Sequence, residues 1–356
     1  MAAERANLVD SIFRVQELAD YIVPFAIRVV CDLGVADLLV DGPRPVEELA
    51  AATGAHAPSL HRTLRALGCK GIFAEVEPGR FALTPLAELF RSDHPLSLRG
   101  AYPLLAANFE AWARFDYTVR TGKPAFDHVH GRRYYDYLAD APYDSERFDD
   151  IQTAGTRLEL RAMLRVYDWG RFDTVVDIGG GNGAFLAGLL ARRPGLRGIL
   201  LELPYVAERA GAVIERAGVA DRCEVVAGSF FDTMPEGADA YLLKRVLYDW
   251  DDEEAAALLR RIRAAARDDS TLLVLDPVIE PGNDFDPGKI YDLLSMTMLG
   301  GRARSRDELA ELFAASGFEL TQVIATDMFP VVEGRPSPQR AAERTPAGAG
   351  ARSNGT

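Results

Sequence analysis

Val175-Val176-Asp177-Ile178-Gly179-Gly180-Gly181-Asn182-Gly183, VVDIGGGNG in one-letter code, is the stretch that decides the fold. Thr174 to Ile178 is an apolar, β-branched run suited to a buried strand. Beyond the glycines, Ala184 to Leu190 carries the apolar spacing of a helix. The sequence therefore predicts strand, glycine turn, helix. Without Cβ atoms the turn can take positive φ and bring bare main chain against a nucleotide-like ligand, while the helix start presents free N–H groups. Gly179, Gly181 and Gly183 form a GxGxG pattern that lacks the third-glycine spacing of the dinucleotide fingerprint. NAD, FAD and S-adenosylmethionine (SAM) are all compatible with such a turn.

Outward from this turn, Gly198 to Leu201 reads as a second buried strand. It ends on Glu202, where a carboxylate can accept hydrogen bonds from both hydroxyls of a ribose. Cys223 to Asp232 is a third strand whose polar and aromatic end suits an adenine ring, and Ala238 to Val246 is a fourth, followed by LYDWDD at 247–252. Glu253 to Ala266 is an amphipathic helix, Thr271 to Leu275 a fifth buried strand, and Arg306 to Ser316 a helix closing at Gly317. Phe318 to Val323 and Phe329 to Val332 form a last antiparallel pair. Residues 337–356 turn to Ala, Arg, Gly, Ser and Pro and read as a disordered tail.

At 356 residues and 48% hydrophobic, the chain has material for two domains with sizeable cores. A net charge of −13 argues against a phosphate-backbone partner, so no nucleic acid is expected. Three cysteines without a CxxC pair fit a reduced, cytoplasmic protein. The absence of a basic-then-apolar leader or a spanning apolar run predicts no membrane association. Leu8 to Leu39 has helical spacing interrupted at Pro24, and its apolar face, with Tyr21, Val23 and Phe25, needs a partner. Pro45 to Leu67 and the strand pair around Ile72–Glu75 and Arg80–Thr84 form a winged-helix pattern. Its Arg62 and Arg65 do not make a DNA surface in so acidic a chain. His61 reads as a surface or packing residue. His128 and His130 lack a third ligand nearby, and no metal is expected.

The ordered series VVDIGGGNG, LLELPYV, GSFFD, LLKRVLYDWDDEEA and LGGRARSRDELAELFAASGF resembles the SAM-dependent small-molecule O-methyltransferases. These are typified by plant caffeate O-methyltransferases and their actinobacterial natural-product relatives. The similarity runs from about Leu18 to Pro336. It implies an α/β fold, a class I methyltransferase Rossmann-like sheet with an N-terminal, mostly helical winged-helix dimerisation domain. The implied divisions are a dimerisation domain at 1–100, a helical linker lining the acceptor pocket at 101–168, and the SAM-binding domain at 169–336. A homodimer is implied, with the N-terminal helices helping to close the partner's site.

Carried over by motif position, Asp177, Gly179, Gly180 and Gly181 would pass along the methionine portion of SAM, or of its product S-adenosyl-L-homocysteine (SAH). Glu202 and Leu203 would hold the ribose, Gly228, Ser229 and Phe230 the adenine, and Lys244 and Trp250 the remaining side. Ser229 stands where the family has Asp, and its hydroxyl accepts a hydrogen bond more weakly. Asn108 to Leu138 resembles the segment lining the acceptor pocket, where Phe109, Trp112, Phe115, Phe126 and Tyr135 offer flat walls to an aromatic ring. Met296 and Met298 on a later helix would face the acceptor. Gln152 replaces a methionine that usually clamps the acceptor ring, and an amide there suggests a more polar acceptor.

The catalytic positions depart further. Tyr248 stands where phenol-methylating members have a histidine base, Asp276 where the first carboxylate is commonly Glu, and Ala303 where the second Glu usually sits. A tyrosine with an ordinary pKa near 10 is a poor base at neutral pH. Methyl transfer from a sulfonium has a good leaving group, so in-line positioning can supply much of the acceleration. O-methylation of an aromatic or polyketide-like molecule is the expected activity. Carbon or nitrogen methylation of an electron-rich ring, or a non-methylating relative assisting hydroxylation or rearrangement, are the rivals.

Overall fold

The computed structural model describes residues 2–338, with side chains from Leu8 onward; residues 339–356, on which most of the expected tail falls, lie outside the described residues. Two helices, Ala2–Ala19 and Ile22–Asp32, open the chain. The interruption falls before Pro24, because a proline in the first helical turn has no intrahelical N–H bond to lose. Asp20 makes the break, its carboxylate accepting the N–H of Ile22 at 2.7 Å and of Val23 at 3.3 Å. Leu8, Phe13, Leu18, Tyr21 and Ile22 on these helices are all more than half exposed, an apolar face that no described element covers.

Helices Val46–Thr53 and Ala57–Gly68 pack against a small antiparallel sheet of β1 (Arg44–Pro45), β2 (Ala74–Glu77) and β3 (Arg80–Ala82), ordered β1-β3-β2. Leu49, Leu64, Leu67 and Phe81 form its core, so two helices and a hairpin make the winged-helix arrangement the sequence predicts. Short helices then lead to one long helix, Pro142–Val166.

The C-terminal half is built on a seven-stranded sheet. Its strands are β4 (Thr174–Ile178), β5 (Arg197–Glu202), β6 (Cys223–Ala227), β7 (Ala240–Lys244), β8 (Thr271–Leu275), β9 (Phe318–Ile324) and β10 (Val331–Pro336). They lie in the order β6-β5-β4-β7-β8-β10-β9, parallel up to β8 and antiparallel at the β10 and β9 edge. Every residue of β7 and β8 is buried, which is why they read as unbroken apolar runs. Helices cover both faces. One layer centres on Trp169, Phe185, Leu186 and Leu200, the other on Tyr241, Leu258, Leu259 and Phe313.

The chain steps outward from β4 to β6, then returns to start β7 on the other side of β4. This switch of direction opens a crevice beyond the carboxyl ends of the central strands. The fourth large strand stops at Lys244, short of the expected Val246, because Arg245 takes the left-handed region at φ +59 and turns the chain.

Candidate functional site

A cavity of about 540 Å³ fills that crevice. Its base is the glycine turn, with Gly179 and Gly181 at φ +65 and +62. A Cβ on Gly181 would meet nothing within 4 Å, so the main chain there lies bare to the cavity. One on Gly180 would stand 2.5 Å from Asp177 Oδ2. Asp177 itself is fully buried under the turn and does not line the cavity. Neither of its carboxylate oxygens has a hydrogen-bond partner, and burial pushes its pKa up to about 6.

Glu202 closes β5 at the cavity wall. Its Oε2 accepts the Gly181 N–H at 2.8 Å and its Oε1 the Leu203 N–H at 2.7 Å. Burial pushes its pKa up to about 7 against the pull of those two bonds. Each oxygen keeps a lone pair for a ribose hydroxyl. Leu203, Ser229 and Phe230 also line the cavity, whereas Gly228 does not and holds the β5 register through its N–H on the Glu202 carbonyl at 2.9 Å. Trp250 meets Phe230 and Phe231 edge-on, with ring centroids 5.8 and 4.9 Å apart, forming an aromatic corner beside Ser229.

The opposite wall is the long helix, which presents Ser145, Phe148, Asp149, Gln152, Thr153 and Thr156 at three- and four-residue spacing. Beneath it lies a group the sequence reading missed. Glu159, 2% exposed, meets Lys244 Nζ at 3.1 Å and Arg245 Nε at 3.0 Å. Burial works to raise the Glu159 pKa, but the two cations outweigh it and hold the carboxylate ionised. Asp177 also feels the Lys244 charge and Asp249 that of Arg245, so the two cations sit among three carboxylates. Arg245 also donates to Gln152 Oε1 at 2.9 Å and to the Tyr291 hydroxyl at 3.2 Å.

Asp249 lines the cavity and accepts the Tyr135 hydroxyl at 2.5 Å. Burial pushes its pKa up to about 8, with the nearby Asp276 charge adding to the shift and the Tyr135 bond opposing it. Tyr248 and Asp276, the catalytic candidates from sequence, do not line this cavity. Burial beside Asp249 and Asp276 drives the Tyr248 phenol well above its usual value, so it stays protonated and cannot serve as a base at neutral pH. Asp276 is committed to main chain, accepting the N–H of Val246 at 3.2 Å and of Tyr248 at 2.9 Å. It braces the strained turn at Arg245.

Of the acceptor-wall candidates, Tyr135 and Gln152 line the cavity and the other six do not. Phe126 and Met298 are buried in a small cluster with Tyr134 and Leu138, and Trp112 packs against that cluster; in these the helical spacing of aromatics marks core. Phe109 stacks under Phe25 at 4.6 Å, and Met296 lies outside the cavity as well. The walls the structure supplies besides Tyr135 are Tyr134, Phe148 and Trp250. His128 stacks on Tyr117 and His130 Nε2 lies 3.0 Å from the Ala107 carbonyl; the two do not converge. Ala303 is buried, its N–H donating to Asp292. Neighbouring Gly301 packs so tightly that a Cβ would lie 2.2 Å from the Asp249 carbonyl carbon.

The donor set fits a nucleoside with a charged tail: a carboxylate with spare lone pairs, a bare glycine turn and an aromatic corner. Comparison with known proteins agrees. The family model of an O-methyltransferase domain matches residues 112–319, and that of an O-methyltransferase dimerisation domain matches residues 16–93. A phenazine O-methyltransferase of Lysobacter antibioticus is 41% identical over 323 residues, 90% of this chain and 95% of that protein. An 8-amino-8-demethylriboflavin N,N-dimethyltransferase of Streptomyces davaonensis is 39% identical over 323 residues, 89% and 92% of the two chains. Among solved structures, an O-methyltransferase from neocarzinostatin biosynthesis, in complex with SAM and 2-hydroxy-5-methyl naphthoic acid, superposes with a TM-score of 0.78 at 35% identity. The match covers 90% of this chain and 98% of that one. No helix among the described residues is long and apolar enough to cross a membrane.

Proposed function

Given that this chain belongs to the O-methyltransferase family, whose SAM dependence it shares, we propose that it methylates a hydroxyl of an aromatic or polyketide-like small molecule, acting as a homodimer. The observation that carries this reading is the single cavity in which Glu202 and the bare Gly179–Gly181 turn stand across from the aromatic residues Tyr134, Tyr135 and Phe148. SAM, when bound, supplies an electrophilic methyl group on a sulfonium whose departure as a thioether needs no acid. Glu202 binds the ribose, the Phe230 and Trp250 corner holds the adenine, and the glycine turn accommodates the amino-acid tail. Asp177 stiffens that turn from below.

Tyr248 and Asp276 act as positioning residues. Asp276 fixes the main chain from Val246 to Tyr248, and Tyr248, held neutral, gives the turn its side-chain packing. Asp249, whose carboxyl is pushed up to about 8, would take the hydroxyl proton in its ionised form as the acceptor oxygen gains the methyl group and the thioether leaves. Much of the rate comes from holding the acceptor oxygen in line with the methyl group, a contribution worth up to about 7–11 kcal/mol. The exposed apolar face of the first two helices, lying partly within the dimerisation domain, is the surface the second copy covers.

The test is transfer of an isotopically labelled methyl group from SAM into a panel of phenols, indoles and amines, with SAM and SAH binding followed by calorimetry. Label on oxygen is the expected result. Label on carbon or nitrogen overturns the choice of atom. Tight cofactor binding without label in any product overturns methyl transfer itself.

A further inference from the structure

Gln152 has one face committed and one face free. A guanidinium can only donate, so the carboxamide oxygen must be the atom turned toward Arg245 Nη1, 2.9 Å away. The amide group at Nε2 therefore points the other way. It makes no hydrogen bond among the described residues, and Gln152 lines the cavity. Arg245 is itself fixed. Glu159 holds it from below, it donates to the Tyr291 hydroxyl, and its guanidinium lies 5.5 Å from the ring centroids of both Tyr291 and Phe329. The ion-paired Arg245 thus stands behind this donor and fixes its direction.

We propose that the Arg245-oriented Gln152 is an anchor for an anionic oxygen on the acceptor, an aryl carboxylate carried in addition to the hydroxyl that is methylated. This rests on the methyl-transfer reading of the same cavity and narrows its substrate class. A thioether at position 152 could offer only apolar contact, whereas the fixed amide rewards an acceptor that brings an oxygen to it. A neutral ring of the same size leaves the N–H groups of Gln152 unpaired once water is expelled.

The experiment is calorimetric binding to the full-length protein saturated with SAH, using 3-hydroxy-2-naphthoic acid and 2-naphthol, which share a ring and a hydroxyl and differ in the carboxylate. The wild type is expected to favour the acid about tenfold or more, the value of one hydrogen bond to a charged group. Q152M is expected to lose that preference while keeping its SAH and 2-naphthol affinities. Q152E, which places a carboxylate where the donor stood, is expected to favour the naphthol. An acid preference that survives in Q152M overturns the proposal, as does equal binding of the two probes, or binding of neither up to about 1 mM, in the wild type. A Q152M variant that loses SAH affinity and leaves the acid preference intact would assign the pair to the cofactor's own carboxylate and overturn it too. Failure of the underlying methyl-transfer reading has a separate signature, the absence of SAH binding by the wild type.

Discussion

Replacing Glu159 by Gln keeps the shape of the side chain and removes the one charge that two buried cations share. Lys244 and Arg245 are each 7% exposed and stand 3.1 and 3.0 Å from the carboxylate. Breaking a buried ion pair by removing one partner costs about 3–5 kcal/mol, because the surviving charge stays desolvated. Here two charges survive and also repel each other, which puts E159Q near the upper end, about 5 kcal/mol. A Coulomb estimate agrees in scale, since two unit charges 3 Å apart attract by about 5 kcal/mol at an effective dielectric of about 20. For a domain the size of the sheet half, this lowers the thermal midpoint by roughly 10–20 °C. Scanning calorimetry of the unliganded protein reads it directly. A second readout separates charge from packing. The local charge becomes more positive by one unit, so SAM, which carries the sulfonium, should lose more affinity than SAH, which does not. A midpoint change under about 2 °C, or an unchanged ratio of SAM to SAH affinity, refutes the reasoning.

The Asp249 carboxyl, pushed up to about 8, keeps its proton in the folded protein over a range where the unfolded chain has lost it. The stability this gives is complete below about pH 4 and is lost as pH rises to about 8. In thermal melts across that range, D249N should gain on the wild type by at most about 1.4 kcal/mol per pH unit. A rate that rises toward pH 8 in the wild type should lose that dependence in D249N, with bound SAM moving the wild-type limb to lower pH. E202Q should weaken SAH at least tenfold by calorimetry while the thermal midpoint of the unliganded protein moves little, since an amide oxygen still accepts one of the backbone N–H groups. Alanine at two glycines should act with opposite sign. G301A forces a Cβ to within 2.2 Å of the Asp249 carbonyl carbon and should destabilise by more than about 3 kcal/mol. G211A, in the helix Pro204–Arg216 with nothing within 4 Å, should stabilise by about 0.5–1 kcal/mol, and urea titration compares the two.

The glycine turn, its flanking strands and Glu202 were legible because strand, turn and helix are local events whose residues lie side by side in the chain. The Glu159 network was not. Its partners sit 85 residues apart for Lys244 and Glu159 and 93 for Arg245 and Gln152, and the separate Tyr135–Asp249 pair spans 114. No periodicity reports such pairings. Phe126 and Met298 had the spacing of a wall and turned out to be core, because helical spacing says that a face is buried and not what buries it. Arg245 gave no sign of its left-handed turn, a conformation read more easily at a glycine than at an arginine. Tyr248 was visible as a substitution, while its protonated state depended first on burial and then on two aspartates, one of them 28 residues further along the chain.

The position of β10 bears on how the molecule is made. The last described strand to leave the ribosome is an interior one, seated between β8 and β9. Until it arrives, β8 is an open edge of fully buried, apolar character, the kind of edge that pairs with other chains. Nascent protein is thus exposed to aggregation from the emergence of β8 until that of β10, and premature termination shortly before Val331 would leave a product with nearly every catalytic group and an uncovered edge in its main sheet.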